Sequence, residues 1–255
     1  MREEAEAVVE NLLSFKSKQR YLKLYDDFMK WRAEKKVKSL SEDVLLMYFS
    51  ELSKTYKPST LWNVYSILKT TLISKHNVHL EDFERLISFL KRQSDGFEAK
   101  KSKVFTSQEI KTFLNQAPDE IYLVMKVVLI LAVSGACRII ELVNMKVDDI
   151  EKQGDIILVK LLGTDPKVER TFVIKKEFVN FIEKYQNLRP SGMVTNRFFL
   201  NYHKGKCMRQ VIGKNKMSSI PKEIATYLNL PNPSLYSGHC FRRTSATLLA
   251  DPGAD

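Results

Sequence analysis

Three short segments of the chain carry basic side chains whose types and spacing suit chemistry on a phosphate. Arg138 follows a break of small residues and stands three positions before Glu141, which could orient its guanidinium group. His239 and Arg242 are three residues apart on a predicted helix, so an imidazole and a guanidinium could converge on the oxygens of one phosphate. Lys167 lies between two predicted strands, where a lysine in a turn could reach a substrate and protonate a leaving group.

Each segment by itself also has an ordinary structural interpretation. An arginine beside a glycine turn is usually a surface charge, a His-x-x-Arg pair is common by chance, and lysines in exposed turns promote solubility. The combination is more specific than its parts. An arginine at a helix start is followed about thirty residues later by a lysine between two strands, and then by His-x-x-Arg on a late helix.

Taken together, the segments resemble the tyrosine recombinase (phage integrase) family. Residues 134–142 are similar to the family motif Thr-Gly-x-Arg-x-x-Glu-Leu, and residues 239–247 to its helix His-x-x-Arg-(His/Arg)-Thr-x-Ala-Thr. Residues 163–170 resemble its Lys-x-x-Arg hairpin. The resemblance covers 104–255 and extends loosely to the helical region before it, where the family places a core-binding domain. The last helix resembles integrase-like proteins of eukaryotic mobile elements (Crypton type) more than bacterial ones.

The resemblance implies a role for each of these residues. Arg138 and Arg242 would clamp the scissile phosphate, and His239 would hydrogen-bond a non-bridging oxygen and assist proton transfer. Lys167 would be the general acid toward the 5′-hydroxyl leaving group, and Glu141 would support Arg138. Two guanidinium groups can stabilise the developing charge without a metal or another cofactor, and the motifs contain no carboxylate cluster for two-metal chemistry.

The nucleophilic tyrosine of the family lies some tens of residues after the His-x-x-Arg motif, with a second His or Trp between them. Only thirteen residues follow Arg242, so neither residue is expected in this chain. Tyr236 precedes the motif and is predicted to cap or pack against the helix. We therefore expect a chain that binds DNA without cutting it, either as a fragment or as a protein that has lost its end. The apolar surface at Leu248 and Leu249 should then be exposed or covered by a partner.

The predicted fold is mainly α-helical with a small antiparallel β-hairpin or sheet. Helical periodicity predicts four helices within 1–93, as a core-binding domain, followed by a polar linker over 94–103. The incomplete catalytic domain, 104–255, begins with a capping box at Thr106–Glu109. Its predicted helices cover 107–116, 120–133, 138–145, 175–185, 220–228 and 238–249, and its predicted strands cover 155–160 and 170–174, with a short extended piece at 197–200.

The net charge of +11 favours a polyanionic partner, and both halves of the chain share it. Double-stranded DNA is the expected partner, with self-assembly on DNA as in the family; no small-molecule substrate and no membrane association is expected. The predicted DNA contacts are Lys54, Lys57, Ser59, Thr60, Lys69, Lys100, Lys101, Lys103, Lys204, Lys206, Arg209, Lys214, Lys216 and Arg243. A merely basic soluble protein would carry the same charge.

Cysteine usage and the N-terminus bear on location. The cysteines Cys137, Cys207 and Cys240 match no metal-binding spacing and are expected to be reduced thiols of an intracellular protein. The first twenty residues contain no apolar signal core, so we expect a nuclear protein in a eukaryote and a cytoplasmic one otherwise. The alternative functions are a non-enzymatic, transposon-derived DNA-binding protein that retains the pocket, and a basic helical scaffold or RNA binder. A type IB topoisomerase shares the chemistry but is supported by the pocket residues alone.

Overall fold

The computed structural model describes residues 15–162 and 169–250, and the side chains of 17–161 and 169–250. The chain divides into two compact units between Ala99 and Lys100. Both units are mainly helical, and the second contains two small antiparallel sheets, so the predicted fold class is confirmed. In the described ranges no helix is both long enough and apolar enough to cross a membrane.

The first unit contains four α-helices. They are α1 (Phe15–Glu34), α2 (Glu42–Ser53), α3 (Pro58–His76) and α4 (Glu84–Ser94), with a 3₁₀ turn at Leu80–Asp82. Apolar residues at helical spacing meet in one core, where Phe28, Leu45, Phe49, Leu68 and Leu86 are fully buried. Asn77 caps the C-terminal end of α3, and its positive φ of 54° is the left-handed conformation that commonly closes a helix.

The first residue of α2 caps another helix of the same unit. Ser41 precedes α2, but its side chain makes no capping hydrogen bond. The carboxylate of Glu42 instead accepts from the backbone N–H groups of Arg85 and Leu86, at 2.6 and 3.1 Å, in the first turn of α4. Arg85 also donates its side-chain Nε to Glu42 at 2.9 Å. The first residue of α2 therefore caps α4, a long-range contact that local capping rules do not predict.

The second unit is built around the apolar helix α6. Its helices are α5 (Ser107–Gln116), α6 (Asp119–Ser134), α7 (Ile139–Asn144), α8 (Lys176–Asn187), α9 (Lys214–Tyr227) and α10 (Cys240–Ala250). The capping box of Thr106 and Glu109 is present as predicted at the start of α5. Every residue of α6 from Leu123 to Ala132 is buried, because α8, α10 and the sheets pack around this helix.

A three-stranded antiparallel sheet lies beside α6. Its strands β1 (Ile150–Gln153), β2 (Ile156–Leu162) and β3 (Glu169–Ile174) are ordered β1-β2-β3, and β2 pairs with β3 from Ile157↔Ile174 to Leu162↔Glu169. The predicted strand pair is therefore present, and the predicted turn between the two strands lies outside the described residues. In β3 the less exposed positions alternate, so that Arg170, Phe172 and Ile174 face inward.

A second hairpin was not predicted as such. Strands β4 (Leu200–His203) and β5 (Lys206–Val211) pair antiparallel, and only Leu200 of the predicted extended run 197–200 belongs to a strand. The hairpin docks on the start of α6, where Gly205 N–H donates to Glu120 O at 2.8 Å and Tyr202 Oη donates to Asp119 O at 2.7 Å.

The predicted start of one helix is wrong, whereas the short helix predicted over 138–145 is present as α7. Helix α9 begins at Lys214, six residues before the predicted start, and it carries Pro221 inside it. The apolar residues Met217, Ile220 and Ile224 of this helix face the core, but the charged residues of its first turn hid the pattern. Helix α7 is only six residues long and ends at Asn144.

Candidate phosphate-binding site

Arg138 lies at the start of α7, and the residues around it fix its position. Its backbone N–H donates to Glu141 Oε2 at 2.7 Å, and its guanidinium Nη1 lies 3.3 Å from Glu141 Oε1. The Glu141 side chain is only 2% exposed, whereas the Arg138 side chain is 48% exposed. A buried carboxylate thus holds the base of a guanidinium group that faces solvent. Ile139 and Leu142 of α7 are buried, whereas Ile140 is exposed on the outer face of the helix.

Strand β3 packs against the same segment through two side chains. Arg170 donates from Nη2 to Glu141 Oε2 at 2.5 Å. The ring of Phe172 fills the space beside Gly135, where a Cβ atom would lie 2.4 Å from Phe172 Cε1. The sequence motif contained Arg170 without giving it a role, since a separation of 29 residues from Glu141 leaves no local signal.

The start of α10 reaches the site through Gly238. A Cβ atom on Gly238 would lie 2.9 Å from Ile139 Cγ1, so this glycine permits a close approach between the neighbours of His239 and Arg138. His239 precedes α10, and its carbonyl accepts from Arg243 N–H at 3.1 Å, so it is the capping residue and not a residue inside the helix. The side chains of His239 and Arg242 are exposed.

The electrostatics of Cys137 support the same arrangement. Burial raises the pKa of this thiol to about 12, while the positive charges of Arg170 and Arg242 act in the opposite direction. The charge of Arg242 therefore acts on the residue directly before Arg138. Since its Sγ also donates to Leu131 O at 3.4 Å, Cys137 is a packed thiol and not a reactive one.

A strained residue lies beside the site. The motif glycine stands two positions before its arginine, and in this chain that position holds Ala136, with a positive φ of 46°. An alanine in this left-handed conformation costs about 1 kcal/mol. Gly135, one position earlier, has an ordinary φ of −98°. The glycine next to the break is thus required for contact with Phe172, and the backbone strain falls on its neighbour.

Two single substitutions should therefore change stability in opposite directions. Gly135→Ala should destabilise the second unit by about 1 to 3 kcal/mol, because its methyl group would overlap the Phe172 ring. Ala136→Gly should stabilise it by about 0.5 kcal/mol, because the relief of backbone strain at this position is larger than the entropy that glycine loses on folding. Chemical denaturation of both variants checks this, and a Gly135→Ala variant as stable as the parent protein would contradict it.

The predicted DNA contacts of the first unit cluster at one end of α3. Lys57 is the residue before α3, Lys54 follows α2, and Ser59 and Thr60 are exposed in the first turn. This turn has no acidic residue, so the positive end of the helix dipole is not neutralised locally. Lys69 lies farther along the helix and pairs with Glu81 at 3.5 Å.

The predicted contacts of the second unit differ in how far the fold already uses them. Lys103 Nζ donates to Pro231 O at 2.9 Å, Arg243 Nη1 to Ser102 O at 2.7 Å and Arg209 Nη2 to Ser191 O at 3.1 Å. These three cations hold loops in place. Of the predicted contacts, six exposed lysines have ammonium groups that make no hydrogen bond or ion pair with any described residue; they are Lys100, Lys101, Lys204, Lys206, Lys214 and Lys216. Lys167 lies outside the described residues.

The tyrosines of the second unit are packing residues. Tyr236 is 5% exposed and its ring stacks on Phe105 at a centroid distance of 4.8 Å. The other four pack in or against the hydrophobic core; they are Tyr122, Tyr185, Tyr202 and Tyr227. All three cysteines are buried and free. Within the described ranges no group of three His, Cys, Asp or Glu side chains is arranged to hold a metal ion.

Comparison with known proteins gives both a sequence match and structural matches. Residues 103–255 match the phage integrase family. No curated protein matches the sequence of this chain. A lambda integrase dimer bound to a COC′ core site is 12% identical, with a TM-score of 0.62 over 100% of this chain and 90% of that one.

Two further solved structures have the same fold. The Tn1549 transposon integrase in complex with circular intermediate DNA is 18% identical, with a TM-score of 0.60 over 95% of this chain and 83% of that one. The XerH site-specific recombinase bound to its difH substrate is 18% identical, with a TM-score of 0.59 over 92% and 67%.

Proposed function

The chain belongs to the phage integrase family, and from this we propose that it binds double-stranded DNA and holds one backbone phosphate with Arg138, Arg242 and His239. The observation that carries the proposal is the buried Glu141, which fixes the base of an exposed guanidinium beside the start of α10. The reaction that this site would serve is DNA recombination and integration by phosphodiester transesterification.

The chemistry of the three side chains fits a phosphate. A guanidinium group presents paired N–H donors that match two phosphate oxygens, and it keeps its charge at any physiological pH. His239 adds a ring N–H donor from the capping position of α10. Arg138, Arg170 and Arg242 outnumber the single carboxylate of Glu141, so the site favours an anion.

Lys167 is proposed as the general acid of the same site. It lies in the connection between β2 and β3, and the β3 end of that connection is tied to the Arg138 segment through Arg170 and Phe172. An ammonium group delivered from this connection could protonate the 5′-oxygen as the phosphodiester bond breaks.

The first unit is proposed to bind the DNA backbone through the connection between α2 and α3. Lys54 and Lys57 bring positive charge to the N-terminal end of α3, where Ser59 and Thr60 offer hydroxyl groups. Contacts of this type position a protein on DNA without reading its sequence.

Binding to a labelled DNA duplex, measured by fluorescence anisotropy over a range of salt concentrations, tests the proposal. With about six phosphate contacts, the affinity should fall about 10³-fold between about 50 and 200 mM salt, because each contact releases counterions. A duplex affinity that does not change with salt would overturn the proposal.

The second part of the proposal is that this chain does not cut DNA by itself. The tyrosines of the second unit are packed in or against the core, and Tyr236 is stacked on Phe105, so none is suited to attack a phosphate held by Arg138. Incubation with a nicked suicide duplex should therefore give no covalent protein–DNA adduct on a denaturing gel. An adduct would refute this part and leave DNA binding intact. The non-enzymatic alternative, a DNA-binding protein that retains the pocket, predicts the same binding and the same lack of an adduct.

A further inference from the structure

Arg170 is a partly buried arginine of β3 that the functions assigned above leave unexplained. Its side chain is 33% exposed and its Nη2 atom donates to Glu141 Oε2 at 2.5 Å. Its Nε atom is buried and has no hydrogen-bond partner among the described residues. Burying an unsatisfied N–H group is unfavourable, so the contact with Glu141 must offset that cost.

Glu141 makes unequal contacts with its two arginines. The distance to Arg170 is 2.5 Å, whereas the distance to the guanidinium of Arg138 is 3.3 Å. A shorter contact between charged groups is the stronger one, and both arginines compete for the same carboxylate. Most of the charge of Glu141 is therefore neutralised by Arg170, while its Oε2 atom also accepts the backbone N–H of Arg138.

Resting on the phosphate-binding function proposed above, we propose that Arg170 is a positioning residue that keeps the charge of Arg138 available to DNA. By neutralising Glu141, Arg170 lets this carboxylate orient Arg138 without forming a tight ion pair with it. Without Arg170, the buried carboxylate would draw the Arg138 guanidinium toward itself and compete with the DNA phosphate.

The proposal predicts a specific pattern among variants of the full chain, measured by anisotropy on one DNA duplex. Arg170→Met should weaken binding about tenfold, the effect expected for one charged hydrogen bond. Adding Glu141→Gln to Arg170→Met should restore affinity to within about threefold of the parent, because it removes the competing carboxylate. A direct DNA-contacting role for Arg170 would give no such rescue, and a merely structural role would weaken binding in an Arg138→Ala background as much as in the parent.

The matched control is Lys160→Met on the neighbouring strand β2. Lys160 pairs with Glu151 at 3.1 Å, so this variant loses the same unit charge from the same sheet without a contact to Glu141. Its effect on affinity calibrates the loss of one positive charge. The effect of Arg170→Met must exceed it, and equal effects would overturn the proposal.

Two further variants separate failure of this proposal from failure of the proposed function. In an Arg138→Ala background, Arg170→Met should cause no further loss, and an undiminished loss there would refute action through Arg138. If Arg138→Ala alone leaves the affinity unchanged, the phosphate-binding function itself is wrong. Should Arg170→Met not fold, Arg170→Lys replaces it: this variant keeps the charge and should bind within about threefold of the parent, and a folded Arg170→Lys that binds as weakly as Arg138→Ala would overturn the proposal.

Discussion

Replacing Arg138 and Arg242 together with alanine is expected to weaken binding of duplex DNA by about a hundredfold or more, since each hydrogen bond to a charged group contributes about 1.5 to 3 kcal/mol. Both side chains are exposed, so their removal leaves the core of the second unit unchanged. The protein should therefore remain folded, and anisotropy with a labelled duplex measures the loss directly.

The salt dependence of this double variant tests whether the two arginines bind the same phosphate. If they do, the slope of log affinity against log salt should fall by about 0.9, the value for one phosphate contact, and by about twice that if they bind two. The control is Lys160→Ala with Lys176→Ala, which removes the same charge from exposed ion pairs with Glu151 and Asp155. A control that weakens binding as much as the arginine variant would mean that net charge alone explains the result.

The largest effect on stability is expected from Asp119→Asn. The side chain of Lys126 is only 3% exposed, and its ammonium group lies 2.8 Å from Asp119 Oδ1. Removing the carboxylate leaves the buried ammonium group of Lys126 without its counter-charge. This loss should lower the free energy of unfolding of the second unit by about 3 to 5 kcal/mol. Denaturant unfolding followed by far-ultraviolet circular dichroism measures the change.

Two controls separate the buried charge from a general loss of ion pairing. Asp155→Asn breaks an exposed pair with Lys176 and should cost no more than about 1 kcal/mol. Adding Lys126→Met to Asp119→Asn should recover most of the lost stability, because the buried charge is then absent. Failure of this rescue would show that Asp119 acts by another route, for example through Lys184, which lies 3.2 Å from it.

Low pH should weaken the ion pair between Asp119 and Lys126. Desolvation tends to raise the pKa of Asp119, but hydrogen bonds from Lys126 and Lys184 outweigh it, so the pKa is lowered from its ordinary value of 3.8. A lowered pKa means that the stabilisation is complete above the pKa of the unfolded chain and is lost as pH falls through the lower folded value. In Asp119→Asn this part of the acid sensitivity should be missing.

The sequence predicts elements whose determinants are local. The apolar periodicity of α1 to α4, the capping box of Thr106 and Glu109, and the β2–β3 pairing are each encoded within a few residues. It does not predict contacts made across the fold. Glu42 caps α4 from 43 residues away, and the start of α9 was missed because its apolar face begins only at Met217.

In the candidate site, too, the local features can be predicted from the sequence and the contacts across the fold cannot. Its motif residues Arg138, Glu141, His239 and Arg242 can be chosen from spacing, and their roles stay proposals. What the sequence could not show is the packing that brings the segments together. Phe172 fills the space at Gly135, Gly238 contacts Ile139, and Arg170 shares Glu141 with Arg138. Each of these contacts joins residues that lie far apart along the chain.

The three buried cysteines allow local opening of the second unit to be followed by thiol labelling. Residues 1–99 contain no cysteine, whereas Cys137 directly precedes Arg138, Cys207 lies in β5 and Cys240 begins α10. A thiol reagent added under native conditions can react with each cysteine only when the helix, strand or loop that contains it opens. The three labelling rates, read by mass spectrometry with and without DNA, would show which of these regions opens less often when DNA is bound, without any engineered probe.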